Sequence, residues 1–409
     1  MKAYLTNTIE NKTVSVNLPG SKSESNRLLI LKKIYPNISL LNLSNCDDTL
    51  TLRKAIEEKN QIVDVHHAGT AMRFLTAFFA SKKDVEFTLT GSKRMQERPI
   101  KILVDTLRAI GADISYIKNN GFPPLKIKGK ELISNSISID ANISSQYISA
   151  LMLIAPSLNK GLKITLRNNI TSIPYIKMTL ELLSRIGVFC SLTDNIIEIA
   201  STKKINDIKV NIESDWSSAS YYYSLVALSD HLEITLKTFR KDSIQGDSKV
   251  VDVYKKLGVE TIFNETANSI TLKKNGKKVN NFLKLNLIET PDIAQTIAVT
   301  CFGLGISCEL MGLKTLKIKE TDRLLALKIE LQKLGAEITI TDKSLRLKPT
   351  KTIAKNIVIE TYQDHRMAMS FAPLYLKVPI IINNPNVVSK SYKTFWEDLQ
   401  KIGSKLLIK

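Results

Sequence analysis

Cations gather where this sequence begins its helices. In "LPGSKSESNRLL" (18–29), Lys22, Ser23, Ser25, Asn26 and Arg27 surround what reads as a first helical turn. The macrodipole is positive at that end, so a cation there is locally unfavourable. Exposed backbone N–H groups and cationic side chains together suit an anion. The arrangement recurs along the chain. "AGTAMRFL" (68–75) is a turn with Gly69, where a bare backbone lets a ligand approach closely, and Arg73 follows one turn later. "GSKRMQERPIKI" (91–102) sets Arg94 and Arg98 ahead of Pro99. Proline favours the first helical position, which places Arg98 near an N-cap. "SSQY" (144–147) offers Ser144, Ser145 and Gln146, and "TSIPY" (171–175) offers Ser172 and Tyr175. Such groups cap a helix or bind hydroxyls and phosphate on a ligand. "TPDIAQT" (290–296) places Asp292 at a helix start, where a carboxylate is favourable. "KETDR" (319–323) crowds Lys319, Glu320, Asp322 and Arg323 into one turn. "DHRMAM" (364–369) adds His365 and Arg366, and "VSKSYKTF" (388–395) adds Lys390 and Lys393.

Any one of these stretches also reads as an ordinary capped, solvated helix start. Together they repeat one geometry, a helix N-terminus carrying Lys, Arg, His, Ser or Gln. Several such termini facing one cleft would bind a strongly anionic ligand set with more than one phosphate or carboxylate. Without that ligand, unshielded cations so close would repel by a few kcal/mol at ordinary effective dielectric. Nucleotide-binding alternatives fail on spacing. "PGSKS" lacks the G-x-x-x-x-G-K-[ST] of a P-loop, and "GLGISC" lacks the third glycine of a dinucleotide fingerprint.

A repeated phrase supplies the scaffold. "TLRAIGADISYI", "LLSRIGVFCSLT", "VYKKLGVETIF", "ELQKLGAEITI" and "LQKIGSKLLIK" each end a helix on Gly and start a β-branched run. The glycines are Gly111, Gly187, Gly258, Gly335 and Gly403, 68–77 residues apart. Glycine supplies the left-handed conformation that stops a helix, and a strand follows. "TLRKAIEEKNQIVDV" (51–65) reads as a degenerate sixth copy without the Gly. Six mixed α/β units of about 70 residues are too long for the common solenoid repeats and divide into two domains of three. Crossings are expected near Pro19–Gly20 and in "NIESDW" (211–216).

Composition narrows the class. At 409 residues with 44% hydrophobic content, the chain can build two or three domains. No run of eighteen apolar residues occurs, so no transmembrane helix is expected. The opening "MKAYLTNTIE" lacks the apolar stretch of a signal peptide, and a cytoplasmic location is expected. Cys46, Cys190, Cys301 and Cys308 show no metal-ligand spacing, which predicts reduced thiols and no metal site. The net charge of +19 admits a basic nucleic-acid-binding protein. That reading leaves the polar helix starts unexplained, and the 46 lysines are scattered. Of the twelve arginines, Arg27, Arg73, Arg94, Arg98, Arg323 and Arg366 fall in the motifs above. A guanidinium binds phosphate and carboxylate bidentately.

In this order, "LPGSKSESNR", "AGTAMRFL", "RMQERP", "SSQY", "KETDR" and "DHRMAM" resemble the EPSP synthase (3-phosphoshikimate 1-carboxyvinyltransferase) family of enolpyruvyl transferases, from residue 14 to residue 403. The resemblance implies an α/β (α+β) fold, a two-domain inside-out α/β barrel of six βαβαββ-type units, three per domain. Residues 1–20 with 214–409 would form one domain and 21–213 the other, with the active site in the interdomain cleft. It implies transfer of the enolpyruvyl group of phosphoenolpyruvate to shikimate 3-phosphate with release of phosphate. This is a step of the shikimate pathway to chorismate and aromatic amino acids. No metal or organic cofactor, nucleic acid or membrane takes part, and a monomer is implied.

By the same resemblance, Ser23, Arg27, Ser144, Ser145, Ser172 and Tyr175 would hold shikimate 3-phosphate. Arg98, Arg323, Arg366 and Lys393 would grip phosphoenolpyruvate, with Lys22, Gly69 and Gln146 bridging. Asp292 and Lys319 would meet the shikimate hydroxyls, Glu320 the methylene, and His365 would lie beside the phosphate site. Lys22, Asp292, Glu320 and His365 form the implied catalytic set. The chain departs from the family at His67, where Asn is usual, at Phe74, where Pro is common, and near Thr315, where Asn is expected. The first two bear on glyphosate sensitivity. The fold-sharing alternative is UDP-N-acetylglucosamine enolpyruvyl transferase. That family generally carries a reactive Cys or an Asp on a mobile loop, and the "GSKRMQERP" region has no Cys.

Overall fold

The computed structural model describes residues 1–409 except 8–11, 59, 60, 143, 169 and 171. Ile143 and Thr171, which border two of the motifs, thus lie outside the described residues. The chain divides into two compact units, residues 1–19 with 213–409 and residues 20–212.

One pattern builds both. Strand Phe282–Asn286 leads through helix Ala294–Gly303 to a parallel strand, Ser307–Met311. Helix Arg323–Lys333 then leads to the hairpin Ile338–Ile340 and Ser344–Leu347, whose second strand pairs antiparallel with Ser307–Met311. Strands Ile62–Asp64, Val85–Thr90, Asp113–Tyr116 and Leu125–Gly129 repeat this order, as do Ser136–Asp140, Leu162–Arg167, Cys190–Thr193 and Ile196–Ile199. These are the expected βαβαββ units. Among the described residues there are six sheets, three in each unit.

The glycines of the repeated phrase behave as its chemistry requires. Gly111, Gly187, Gly258, Gly335 and Gly403 have φ of 106°, 88°, 88°, 100° and 111°. A side chain there would strain the left-handed turn. The degenerate copy lacks the glycine because it lacks the hairpin. After helix Asp47–Ile56 the next strand, Ile62–Asp64, already belongs to the following sheet.

Both crossings exchange strands. Lys12–Asn17 pairs parallel with Leu232–Lys237, although the helix that follows it, Lys22–Ile34, belongs to the 20–212 unit. Ile208–Asn211 pairs parallel with Ile38–Leu41, although its own following helix, Trp216–Leu228, belongs to the other unit. The first strand, Lys2–Asn7, completes the last sheet between Ile380–Asn383 and Ser404–Ile408.

Helices, not sheets, fill the middle of each unit. Gly69–Ala80 is buried along its whole length, and Trp216–Leu228 is buried except at Ser217. Lys22–Ile34, Gly69–Ala80 and Ser145–Ile154 pack together in one unit. Ala294–Gly303 packs against both Trp216–Leu228 and His365–Phe371 in the other. Sequences apolar on all sides, such as "TAMRFLTAFFA" and "AQTIAVTCF", have no face to offer water and go inside. The second helix of each repeat is two-faced. Lys101–Ala109 buries Leu103, Val104, Thr106 and Leu107 and leaves its lysine and aspartate out. This helix also corrects the expectation at Pro99. It begins at Lys101 with Ile100 as N-cap, so Arg98 precedes the cap rather than adjoining it.

Candidate active site

In the 20–212 unit, three buried helices bring their N-termini together, and their caps are uncharged. Ser21 caps Lys22–Ile34 by accepting from the Glu24 amide at 3.4 Å. Ala68 precedes Gly69–Ala80 and supplies no side-chain cap. Ser144 caps Ser145–Ile154 by accepting from the Gln146 amide at 3.4 Å. The last two starts touch, because Gln146 Nε2 donates to Thr70 Oγ1 at 3.4 Å.

Two arginines hold this end in shape. Arg27 is 2% exposed and donates to Thr179 Oγ1 (2.8 Å), Ser149 Oγ (2.9 Å), the Ser23 carbonyl (2.9 Å) and the Tyr175 carbonyl (3.4 Å). Its guanidinium also lies 5.5 Å from the centre of the Phe74 ring and 5.8 Å from that of Tyr175. Burial lowers its pKa to about 10, against the opposing pull of Tyr175 and Glu24. Arg73 donates to the Gly69 and Pro99 carbonyls, both at 3.2 Å, and Tyr147 donates to the same Pro99 oxygen at 2.6 Å. The backbone beside Arg98 is thereby pinned to two buried helices.

Arg98 itself lies on the start of Gly69–Ala80. A Cβ at Gly69 would stand 2.6 Å from Arg98 Nη1, so only glycine admits the guanidinium there. Arg98 Nε is buried without a hydrogen-bond partner. Lys22 Nζ, at the first helical position, sits 3.4 Å from Asp48 Oδ2. Ser23 and Tyr175 are half-buried, and Ser145 is buried. Ser172 adopts φ 54° and ψ 43° ahead of Ile173–Arg185 without using its hydroxyl as a cap. Arg94 is exposed and pairs with Glu97, away from the others. His67 is exposed.

The other unit clusters ions instead. Asp292 lies in the turn Pro291–Ile293 before Ala294–Gly303. Its Oδ1 meets Arg323 Nη1 at 2.9 Å and Lys319 Nζ at 3.4 Å, and its Oδ2 meets Arg366 Nη2 at 3.2 Å. Arg366 Nη1 also donates to the Asp292 carbonyl at 2.9 Å. Burial alone would raise the Asp292 carboxyl, but Arg366, Lys319 and Arg323 hold it well below the usual range. Arg323, 1% exposed, further pairs with Glu320 Oε2 (2.9 Å) and Asp364 Oδ2 (2.7 Å). Desolvation acts against its charge, and Asp364, Glu320 and Asp292 outweigh that. Lys319 is shifted down, chiefly by burial and against the pull of Asp292. Glu320 Oε1 accepts from Lys390 Nζ at 2.8 Å.

Backbone geometry presents the Asp364–His365–Arg366 turn. Tyr362 and Gln363 both take positive φ, 52° and 57°, a costly conformation for side-chain residues. Buried Glu330 holds it by accepting from the Tyr362 hydroxyl (2.6 Å) and the Glu360 amide (3.0 Å). Asp364 then caps His365–Phe371 by accepting from the Arg366 amide at 2.9 Å. His365 is buried, with Nδ1 3.7 Å from Asp364 Oδ1.

The geometry joins Asp292, Lys319, Glu320, Arg323 and Arg366 into one network. Lys393 is exposed in the turn before Phe395–Ile402, whereas Lys390 is buried against Glu320. Sequence reasoning passed over Asp364, Ser217, Asp247, Thr179 and Ser149. Asp364 stood in the "DHRMAM" motif without a role of its own. The hydroxyls carried no signal, because mid-helix Ser and Thr are common and their partners lie far off in sequence.

A profile of the EPSP synthase (3-phosphoshikimate 1-carboxyvinyltransferase) family matches residues 41–399. The chain belongs to the EPSP synthase family. It is 45% identical to the 3-phosphoshikimate 1-carboxyvinyltransferase of Bacteroides fragilis (strain YCH46) over 404 residues, covering 98% of both chains. It is 34% identical to that of Haemophilus influenzae (strain Rd) over 423 residues, covering 95% of this chain and 96% of the relative. Among solved structures it is similar to EPSP synthase from Acinetobacter baumannii, with a TM-score of 0.78 over the whole of both chains and 19% identity. The fold expected of an EPSP synthase is therefore the fold observed. Among the described residues no helix is long and apolar enough to cross a membrane.

Proposed function

We infer that this chain transfers the carboxyvinyl group of phosphoenolpyruvate to the 5-hydroxyl of shikimate 3-phosphate, releasing phosphate, in the route to chorismate. The observation that carries the reading is Asp292, a half-buried carboxylate kept ionised at the meeting point of Arg323, Arg366 and Lys319. An anion that engages both arginines competes with Asp292 for them. Its carboxylate then loses stabilising charge and becomes a better proton acceptor, which is what an attacking hydroxyl needs.

The other roles follow residue by residue. Ser23, Arg27, Ser144, Ser145, Gln146, Ser172 and Tyr175 bind shikimate 3-phosphate with Lys22, Asp292 and Lys319. Arg27 does so chiefly by orienting Ser23 and Tyr175, since its guanidinium is already engaged by four protein oxygens. Arg98, Arg323, Arg366 and Lys393 bind phosphoenolpyruvate with Lys22, Gly69 and Gln146. The hydroxyl oxygen attacks the central carbon of phosphoenolpyruvate as its proton passes to Asp292, and the methylene carbon takes a proton delivered at Glu320. The methyl group of the tetrahedral intermediate then returns a proton as the C–O bond to phosphate breaks, with Lys22 at the departing oxygen and His365 nearby. The arginines stabilise the phosphate and carboxylate charge throughout.

Phosphate release tests this directly. Purified chain with phosphoenolpyruvate should release phosphate when given shikimate 3-phosphate and not when given UDP-N-acetylglucosamine. The opposite preference would overturn the reading. It extends to a cytoplasmic monomer, checked by light scattering on a size-exclusion column.

A further inference from the structure

Asp247 is a buried carboxylate that this chemistry does not use. It lies in the short turn Gly246–Lys249 and is 5% exposed. Its Oδ2 accepts the Ser217 hydroxyl. Ser217 Oγ in turn accepts from Arg366 Nη2 at 3.3 Å, and the same nitrogen lies 3.2 Å from Asp292 Oδ2. Among the described residues no ion pair reaches Asp247 directly. One guanidinium therefore serves two carboxylates, half-buried Asp292 by contact and buried Asp247 through a hydroxyl. The charged groups facing Asp247 are Asp292, Arg366 and Asp215.

We propose that Asp247 is the proton-holding member of this cluster: when an anionic ligand draws the Arg366 guanidinium onto itself, Asp247 takes up a proton from solvent, and Asp292 stays ionised. The proposal rests on Arg366 being a ligand-binding group, as the reading above has it. Two nearby carboxylates that lose a shared cation cannot both stay charged in a buried site. The asymmetry of their partners decides which one yields. Asp292 keeps Lys319 and shares Arg323 with the ligand, whereas Asp247 keeps one hydroxyl. Burial and the neighbouring Asp292 already raise Asp247 to about 6, so a modest further push protonates it near neutral pH. A neutral Asp247 leaves Asp292 as the acceptor for the substrate hydroxyl proton. Anion binding is then linked to proton uptake, in proportion to the fraction of Asp247 still ionised.

The test is calorimetric titration of the full chain with inorganic phosphate, and separately with phosphoenolpyruvate plus shikimate 3-phosphate. Each is run at pH 7 in two buffers of different ionisation enthalpy. Wild type should take up more protons per anion than Asp247→Asn, by several tenths of a proton. Equal uptake in the two proteins overturns the proposal. Ser217→Ala removes the hydroxyl that favours the ionised form, so the Asp247-dependent uptake should move to higher pH. An unmoved profile also overturns it. Infrared difference spectra of the ligand-free proteins give an independent check. A protonated-carboxyl band should grow in wild type as pH falls through about 6 and be missing in Asp247→Asn. Its absence from wild type overturns the proposal without reference to any ligand. Asp247-dependent uptake of protons with phosphate, in a chain that turns over neither acceptor, would refute the activity and leave this inference standing.

Discussion

Within each unit three helix N-termini lie near one another, yet the two units clothe those ends differently. The 20–212 unit uses Ser21, Ala68 and Ser144 at the caps. The other uses Asp215 and Asp364, with Asp292 in the turn before its third helix. The arginines follow suit. Arg27 meets hydroxyl and carbonyl oxygens and two aromatic rings, while Arg323 meets three carboxylates. In the first, Lys22 meets Asp48 and Arg27 is engaged by neutral oxygens, so the uncharged helix starts and Arg98, whose Nε has no partner, are what it offers an anion. The second is neutralised in advance, so a ligand must displace one carboxylate partner or protonate another. On the proposed reading, one unit supplies anion-binding helix starts and the other an exchangeable, proton-linked ion cluster.

That contrast can be broken most severely at Arg323. Arg323→Ala strands the buried Asp364 carboxylate and takes one partner each from Asp292 and Glu320, and should cost about 3–5 kcal/mol of stability, read from urea unfolding. Arg27→Leu removes a guanidinium from neutral oxygens and should cost less, about 2–3 kcal/mol by the same measurement. Equal losses would erase the distinction between the halves. Asp247 sharpens it through pH. Its folded pKa is raised from 3.8 to about 6, so the folded state binds the extra proton and stability from this group falls as pH rises through that window. Asp247→Asn should therefore gain about 1–3 kcal/mol on wild type at pH 8, and the gain should vanish near pH 4. Asp292 has the opposite sign. Its depressed pKa contributes stability that is fully present above the ordinary carboxylate range and is lost as pH falls from that range through the lowered value.

Smaller effects probe the helix starts. Gly69→Ala pushes the Arg98 guanidinium aside and should raise the KM for phosphoenolpyruvate about tenfold, roughly 1.4 kcal/mol of binding. The urea midpoint should hardly move, because the group displaced is the far end of a flexible side chain. Tyr362→Phe should cost about 1 kcal/mol of stability by loosening the left-handed turn before Asp364.

The sequence by itself determined the repeat. A helix stop at Gly111, Gly187, Gly258, Gly335 and Gly403 followed by a β-branched run is local physics, legible without neighbours. It likewise singled out Arg98, Arg323 and Arg366, because a cation at an expected helix start is a local anomaly, and Asp292 as a carboxylate suited to that position. Tertiary structure alone decided which charges meet. Arg27 reaches Thr179 across 152 residues, Arg366 reaches Ser217 across 149, and Asp247 joins the network only because Ser217 stands between it and Arg366. The exchange of first strands at the crossings is equally non-local, since a strand carries no mark of the sheet it will join. Side-chain type and helix phase are written along the chain, whereas partnership depends on packing between elements distant in sequence.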